Sequence, residues 1–347
     1  MKPTGQIVQP KNKNLAPKAE EIISAVIPAY CAANHLENVI KGIPEFVDHI
    51  IIVDDCSTDN TELLAKQLSS INRKVKVIRH ETNQGVGGSM LSGLKLANSL
   101  NSTVVVKIDA DDQMDPVFLA SLISPILRGK ADYSKGNRFL VSTSAMPVLR
   151  RIGNLGLSFM TKAASGYWDI FDPTNGYTAI HGSIIPLLND SLIDKRYFYE
   201  TSVLMQLYLI RAVVKDVPIP PRYADEVSHL SEVRTFFEFP LRLFKGLLSR
   251  LWIQYFVRDF GIFSIFILSG MTLFTFGMVF GIYHWWISSR IYHAVTPTGT
   301  IMVAILPVIL GVQLLLQAIV LDVQNVPSQP LQNEVSSLNP KNRFQKT

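Results

Sequence analysis

The chain has 347 residues, 48% of them hydrophobic, with a formal net charge of +5 and a mean hydropathy of +0.21. That hydropathy is high for a soluble protein and low for a chain that lies mostly in a membrane, so the apolar residues must be concentrated locally. Two cysteines, Cys31 and Cys56, exclude a disulfide framework and fit a reducing compartment.

Residues 1–21, rich in Lys, Pro and Asn and without an apolar signal sequence, read as a disordered tail. Four short apolar runs follow, each a predicted buried strand that ends in a polar loop. Residues 22–27 lead to Pro28-Ala29-Tyr30, and residues 49–53 lead to Asp54-Asp55-Cys56-Ser57-Thr58-Asp59. Residues 75–78 lead to Asn83-Gln84-Gly85-Val86-Gly87-Gly88-Ser89, and residues 103–108 to Asp109-Ala110-Asp111-Asp112-Gln113. Strand, loop and helix-like stretch recur, which is the pattern of a parallel sheet with crossover helices.

Carboxylates at the C-terminal mouth of a strand in such a sheet sit where ligands bind. Asp109 and Asp111 can converge on one hard cation, whose remaining ligands usually include a substrate phosphate. Gly85, Gly87 and Gly88 lack the dinucleotide spacing and are read as permitting tight backbone turns beside a ligand or in a plain loop. The histidines show no metal-ligand spacing, and no nucleophile triad is apparent.

Residues 232–259 interleave Phe, Leu, Trp and Tyr with Arg242, Lys245, Arg250 and Arg258. They read as amphipathic helices in the headgroup layer, the first interrupted at Pro240. The positive charge is therefore assigned to membrane contact and not to nucleic acid. Residues 260–286 and 299–323 are each long and apolar enough to span a bilayer, with Pro307 expected to kink the second. Arg290 is the only Lys or Arg between the spans, whereas Arg242, Lys245, Arg250 and Arg258 closely precede the first. The positive-inside rule then predicts an integral, multi-pass protein of the inner or plasma membrane, with its soluble domain, residues 22–231, and both termini cytoplasmic. Residues 324–347 read as a C-terminal tail.

Val26-Ile27-Pro28-Ala29-Tyr30, Ile52-Val53-Asp54-Asp55-Cys56-Ser57-Thr58-Asp59 and Asp109-Ala110-Asp111-Asp112-Gln113-Met114-Asp115-Pro116 together resemble family 2 glycosyltransferases. The branch they resemble contains dolichyl-phosphate mannose synthase and the bacterial polyprenyl-phosphate glycosyltransferases. The resemblance spans about residues 22 to 230 and rests on three motifs in order. It implies an α/β fold: a GT-A, Rossmann-like catalytic domain followed by amphipathic juxtamembrane helices and two transmembrane helices.

It also implies roles. Pro28 and Tyr30 would line the nucleotide pocket with Gly85 beside it, and Asp55, in preference to Asp54, would hydrogen-bond the base. Asp109, Asp111 and Gln113 would hold Mg2+ or Mn2+ against the diphosphate. Gly136-Asn137-Arg138-Phe139 resembles the family's Gly-x-Arg strand, which makes Arg138 a phosphate ligand. Arg150 or Arg151 would be a second, with Arg151 taken as the candidate catalytic residue. Tyr223-Ala224-Asp225-Glu226-Val227-Ser228-His229 resembles a Gly-Glu-Ser-Lys loop in which His229 replaces the lysine, and Arg222 stands one residue out of register.

The implied reaction is inverting transfer of a hexose from a UDP- or GDP-linked sugar to a polyprenyl phosphate at the cytoplasmic face. The alternative is a membrane-bound transferase acting on a hydroxyl of a glycolipid or growing glycan, for which Asp112 or Glu200 would serve as base. Membrane lipid is an expected partner, nucleic acid is not, and the resemblance to two-span relatives admits a homo-oligomer.

Overall fold

The computed structural model describes residues 21–138, 148–171, 175–220 and 232–338. Two compact units emerge: Met1–Ser158 with Ile170–Thr235 and Pro327–Thr347, and Phe159–Asp169 with Phe236–Val326.

The first unit begins with the predicted alternation. Its elements are β1 (Ile23–Ala29), α1 (Leu36–Gly42), β2 (His49–Asp54), α2 (Thr61–Ile71), β3 (Val75–Arg79), α3 (Gly85–Ser99) and β4 (Val104–Lys107). Val or Ile recurs in each of these strands and none has an internal glycine; β1, β2 and β4 are almost wholly buried, as strands covered on both faces are, whereas the edge strand β3 is only partly covered. The strands pair in parallel, β3 on β2, β2 on β1 and β1 on β4, so their C-terminal ends share one edge. Next come α4 (Leu119–Leu127), β5 (Tyr133–Asn137), α5 (Val148–Ser165), β6 (Thr178–His181), α6 (Tyr199–Leu209) and β7 (Val214–Pro218).

The seven strands run β3-β2-β1-β4-β6-β5-β7. β6 is antiparallel to both β4 and β5, which the parallel reading of the first four strands did not contain. Two antiparallel steps return β5 to the direction of β4, so the residue after β5 emerges at the edge that carries Asp109.

One face of the sheet packs Ile23, Ile27, Ile50, Ile52 and Val106 against Leu36 and Val39 of α1 and Leu119, Leu122 and Ile126 of α4. Each such fully buried side chain contributes roughly 2 kcal/mol by apolar burial. This core fixes the strand ends, and with them the loops of the site.

The stretch read as a tail from residue 324 contains α10 (Leu331–Leu338), which belongs to the first unit. The Asp132 carboxylate accepts from the backbone N–H groups of Leu331 and Gln332, at 2.8 and 2.7 Å, and from Val213 N–H at 2.7 Å. It therefore satisfies donors at the start of α10 that no intrahelical carbonyl reaches. The Gln332 amide donates to the carbonyls of Ile126 and Ala131.

The second unit holds α7 (Glu232–Trp252) from Phe236 on, a π-helical turn to Arg258, α8 (Ile262–Trp286) and α9 (Thr298–Gln324). α7 runs unbroken through Pro240, against the expected interruption, although the proline removes one helical donor. α8 and its π-helical extension to Ile291, and α9, are long and apolar enough to cross a membrane. They approach closely where Gly270 meets Gly311; a Cβ on Gly311 would lie 2.8 Å from the Gly270 carbonyl oxygen. Small residues at such a crossing let two helix backbones touch.

Arg242 and Lys245 are exposed on α7, as an interfacial helix requires. Arg250 is not: it is 2% exposed and paired with Asp322 of α9, so the headgroup role expected of it is corrected. The tails of residues 1–20 and 339–347 and the loop of residues 221–231, with Arg222 and His229, lie outside the described residues.

Candidate active site

Three loops at the shared edge carry the predicted site. The first follows β2. Asp54 is buried; it accepts from Ser57 N–H at 3.1 Å and pairs with Arg79 at 3.0 Å. Ser57 Oγ accepts from Cys31 N–H, and Asp59 binds the hydroxyl and N–H of Thr61. Much of the acidic motif thus braces its own loop and ties it to the segment after β1. At that segment Pro28 is half-buried and Tyr30 is 54% exposed, open to a stacking partner.

Asp55, expected to bind the base, is only 2% exposed, and its carboxylate turns inward. Oδ1 accepts from Gln84 N–H at 2.9 Å and meets His80 Nδ1 at 2.7 Å; Oδ2 accepts from Gly85 N–H at 2.7 Å. The acid therefore caps the start of α3. His80 continues the chain through Nε2 to Ser92 Oγ at 2.9 Å.

The glycines after β3 serve the same packing. Gly87 and Gly88 donate N–H to the Lys195 carbonyl, and a Cβ on Gly85 would stand 2.5 Å from that oxygen. Gly85 also has φ +83°, a conformation that side chains disfavour. Its neighbours within the chain are the Lys195 backbone and Asp55.

The third loop follows β4. Asp111 Oδ1 accepts from Gln113 N–H at 3.1 Å, and Asp112 takes φ +60°, which aspartate tolerates better than most residues. Asp115 caps the turn that begins at Pro116. Asp109 Oδ1 lies 2.7 Å from Lys107 Nζ, and Lys107 also reaches Glu200 Oε1 at 3.2 Å.

Lys107 is 3% exposed. Burial pulls its pKa down, but the Asp109 and Glu200 carboxylates more than reverse that, so it stands above the ordinary lysine value and the ammonium is held charged. Glu200, a suspected base, is thereby engaged in an ion pair at the start of α6. Burial, and then the Glu200 charge, hold the neighbouring Tyr133 hydroxyl above the ordinary tyrosine range as well.

The turn Asn175-Gly176-Tyr177 closes over this group. A Cβ on Gly176 would fall 2.5 Å from Lys107 Nζ and 2.9 Å from Asp109 Oδ2. Tyr177 Oη donates to the Asp115 carbonyl, and Gly136 N–H of β5 donates to the Tyr177 carbonyl. Arg138 follows β5 directly and is exposed at this edge. Arg150 and Arg151 belong to the first turn of α5, where only the backbone is described.

Among the described residues, no three His, Cys, Asp or Glu side chains gather into a metal cage. Asp109, Asp111 and Gln113 instead offer two carboxylates and an amide, all hard oxygen donors on one loop. That set suits an octahedral ion that keeps water and substrate phosphate in its shell.

The sequence reading missed Lys107 and His80. A lysine inside an apolar strand, two residues before an acid, was the available signal for the first.

The fold and site define a GT-A type α/β protein with an acidic loop beside β4. Residues 24–185 match the model of Glycosyl transferase family 2. The chain is 34% identical over 222 residues to UDP-N-acetylglucosamine–dolichyl-phosphate N-acetylglucosaminyltransferase of Methanococcus voltae, covering 60% of this chain and 88% of that protein. It is 30% identical over 170 residues to the dolichol-phosphate mannosyltransferase of Pyrococcus furiosus, 47% of each chain. Among solved structures, glucosyl-3-phosphoglycerate synthase from Mycobacterium tuberculosis, in complex with Mn2+, UDP and glucosyl-3-phosphoglycerate, superposes with a TM-score of 0.51. That pair is 21% identical and covers 67% of this chain and 81% of the other. The chain belongs to the family 2 glycosyltransferases.

Proposed function

We propose that the protein transfers a hexose from a UDP- or GDP-linked sugar to a polyprenyl phosphate at the cytoplasmic membrane face, inverting the anomeric carbon. The observation that carries this reading is the acidic loop Asp109–Gln113 at the sheet edge in a chain that also holds two membrane-length helices. Relatives named for transfer to dolichyl phosphate support the acceptor class.

Asp109, Asp111 and Gln113 would hold Mg2+ or Mn2+, and the bound ion supplies charge neutralisation that makes the nucleoside diphosphate a better leaving group. Mn2+ in the structurally similar synthase is in keeping with this. Tyr30 and Pro28 are assigned to the face of the base. Asp55 is assigned to the base edge only through what remains of its lone pairs beside His80, Gln84 and Gly85. Arg138, with Arg151 or Arg150, is assigned to phosphate oxygens, which a guanidinium binds by two parallel hydrogen bonds.

The acceptor phosphate is already ionised, so attack on the anomeric carbon needs no strong base. This agrees with Glu200 being tied to Lys107. A hydroxyl acceptor would need a base, and of the two candidates for it, Asp112 and Glu200, the ion pair with Lys107 disfavours Glu200.

The test is to incubate the purified protein with a panel of nucleotide-sugars and short polyprenyl phosphates and weigh the products. A polyprenyl-phosphate monosaccharide is expected; transfer only to hydroxyl acceptors would replace the reading. For orientation, a cysteine at Ser289 is expected to label from outside intact cells and one at Ser337 is not. The reverse pattern would place the soluble domain on the other side.

A further inference from the structure

We propose that Lys107 is a positioning residue for the Asp109 carboxylate, that Glu200 anchors it, and that this triad sets the protein's divalent-ion requirement. The inference rests on the reading of Asp109 as an ion ligand and deepens it.

Lys107 ends the four-residue strand β4, every residue of which is buried. A lone buried ammonium is costly, so its position is fixed by the two acids within reach, Asp109 at 2.7 Å and Glu200 at 3.2 Å. These come from different elements, the β4 loop and α6, and Lys107 joins them. Backbone register fixes the strand end, with Lys107 opposite Val26 of β1 and Thr178 of β6.

The ammonium takes Asp109 Oδ1. The other oxygen, Oδ2, lies against Gly176, where a Cβ would stand 2.9 Å from it. The carboxylate is thus held between a cation and a backbone turn, with a fixed orientation for Oδ2. Lys107 also separates two carboxylates that both lie within about 3 Å of one nitrogen. Without it, Asp109 and Glu200 face each other as like charges, and their repulsion drives Asp109 out of place.

A role confined to stability and a role in positioning predict different results when the second acid is also removed. The experiment uses the full chain in lipid nanodiscs, with binding of UDP and of GDP measured by calorimetry across a Mn2+ titration. Lys107→Met is expected to raise the Mn2+ concentration needed for half-maximal nucleotide binding by about tenfold or more, the range seen when a partner of a metal ligand is removed. Adding Glu200→Gln removes the like charge, so the double variant is expected to move back toward wild type, to within about threefold. Glu200→Gln alone keeps a hydrogen-bonding group and is expected to raise the requirement by about two- to fivefold.

An unchanged Mn2+ requirement in Lys107→Met overturns the proposal, as does a double variant worse than the single. If Lys107→Met does not fold, Glu200→Gln decides: an unchanged requirement there overturns it too. Asp111→Asn separates the underlying reading from the inference. Should Mn2+-dependent nucleotide binding survive in Asp111→Asn, the ion site itself is lost; should it vanish there while Lys107→Met behaves as wild type, only the triad fails.

Discussion

Arg250 and Asp322 meet as a bidentate pair: Nη1 donates to Oδ1 at 2.7 Å and Nη2 donates to Oδ2 at 2.8 Å. Both side chains are buried, and both acid oxygens are used twice. Tyr255 Oη donates to Oδ1 at 2.7 Å and Trp168 Nε1 donates to Oδ2 at 3.0 Å. Arg250 Nη2 further donates to the Ala163 carbonyl, and Tyr255 stacks on Phe263 at a ring separation of 3.7 Å. The pair joins α7 to the end of α9. Ionisable groups in such a place persist only when paired and hydrogen-bonded.

Removing one partner leaves the other charge buried alone. Asp322→Ala is therefore expected to destabilise the protein by about 3–5 kcal/mol, the range for a broken buried ion pair. Arg242→Gln, at an exposed position on α7, is expected to change stability by less than about 0.5 kcal/mol. Thermal unfolding in one detergent, followed by tryptophan fluorescence, compares them. Equal melting temperatures for the two variants would remove the pair from the account of what holds this unit together.

The ion site has its own test. Asp111→Asn is expected to abolish sugar transfer while leaving the melting temperature within about 2 °C of wild type, because the side chain is half-buried on a loop and asparagine keeps an acceptor for Gln113 N–H. A chelator is expected to silence the wild-type protein in the same way, with activity restored by Mn2+ or Mg2+. The transition state then loses several kcal/mol of charge stabilisation. Full activity in chelator would end the metal-dependent mechanism.

What was legible in the sequence was local. Apolar runs ending in polar loops marked β1 to β4, and Asp109–Gln113 stood at the mouth of its strand as expected. What was not legible depends on partners far along the chain. The Lys107 ammonium finds Glu200 93 residues away, and Arg250 finds Asp322 72 residues away. Asp132, in a short linker, caps a helix 199 residues on. An amphipathic pattern cannot tell a cation facing headgroups from one facing a buried acid, so it does not separate Arg250, which is buried against Asp322, from the exposed Arg242. Likewise the acid pair Asp54-Asp55 signalled a ligand loop, but which lone pairs the loop itself consumes is set by His80 and the start of α3, outside the motif.

His181 gives the expected pH dependence. Its Nδ1 meets Ser183 Oγ at 2.7 Å and accepts from Ser183 N–H at 3.3 Å, capping the turn that follows β6. Burial lowers its pKa, more than the Asp132 charge raises it. A histidine with a depressed folded pKa contributes fully above the unfolded value of about 6.5, and that contribution is lost as pH falls below it. Wild type is therefore expected to lose stability between about pH 6.5 and 5 more steeply than His181→Asn, which keeps an acceptor for the cap but does not titrate. Denaturant midpoints at the two pH values read the difference; parallel losses in both proteins would assign the acid sensitivity to other groups.

Gly176 gives the sharpest steric prediction. Its Cα hydrogen occupies the space where a Cβ would stand 2.5 Å from Lys107 Nζ, 2.9 Å from Asp109 Oδ2 and 3.3 Å from Met114 Cε. Two of these atoms belong to an ion pair and cannot retreat without parting from each other. The lysine is fixed in its strand, so Asp109 is the group that yields. Gly176→Ala is thus expected to cost about 1–3 kcal/mol of stability from overpacking. It is also expected to lower the maximal rate by about tenfold or more, since a ligand displaced by 1 Å is enough for such a loss. Gly156→Ala, in α5 with nothing within 4 Å of its added Cβ, serves as the control and is expected to leave the rate unchanged. The rate at saturating Mn2+ and donor, taken for both variants at the same temperature, decides the matter. A Gly176→Ala protein with wild-type turnover would mean that the turn does not hold Asp109 during catalysis.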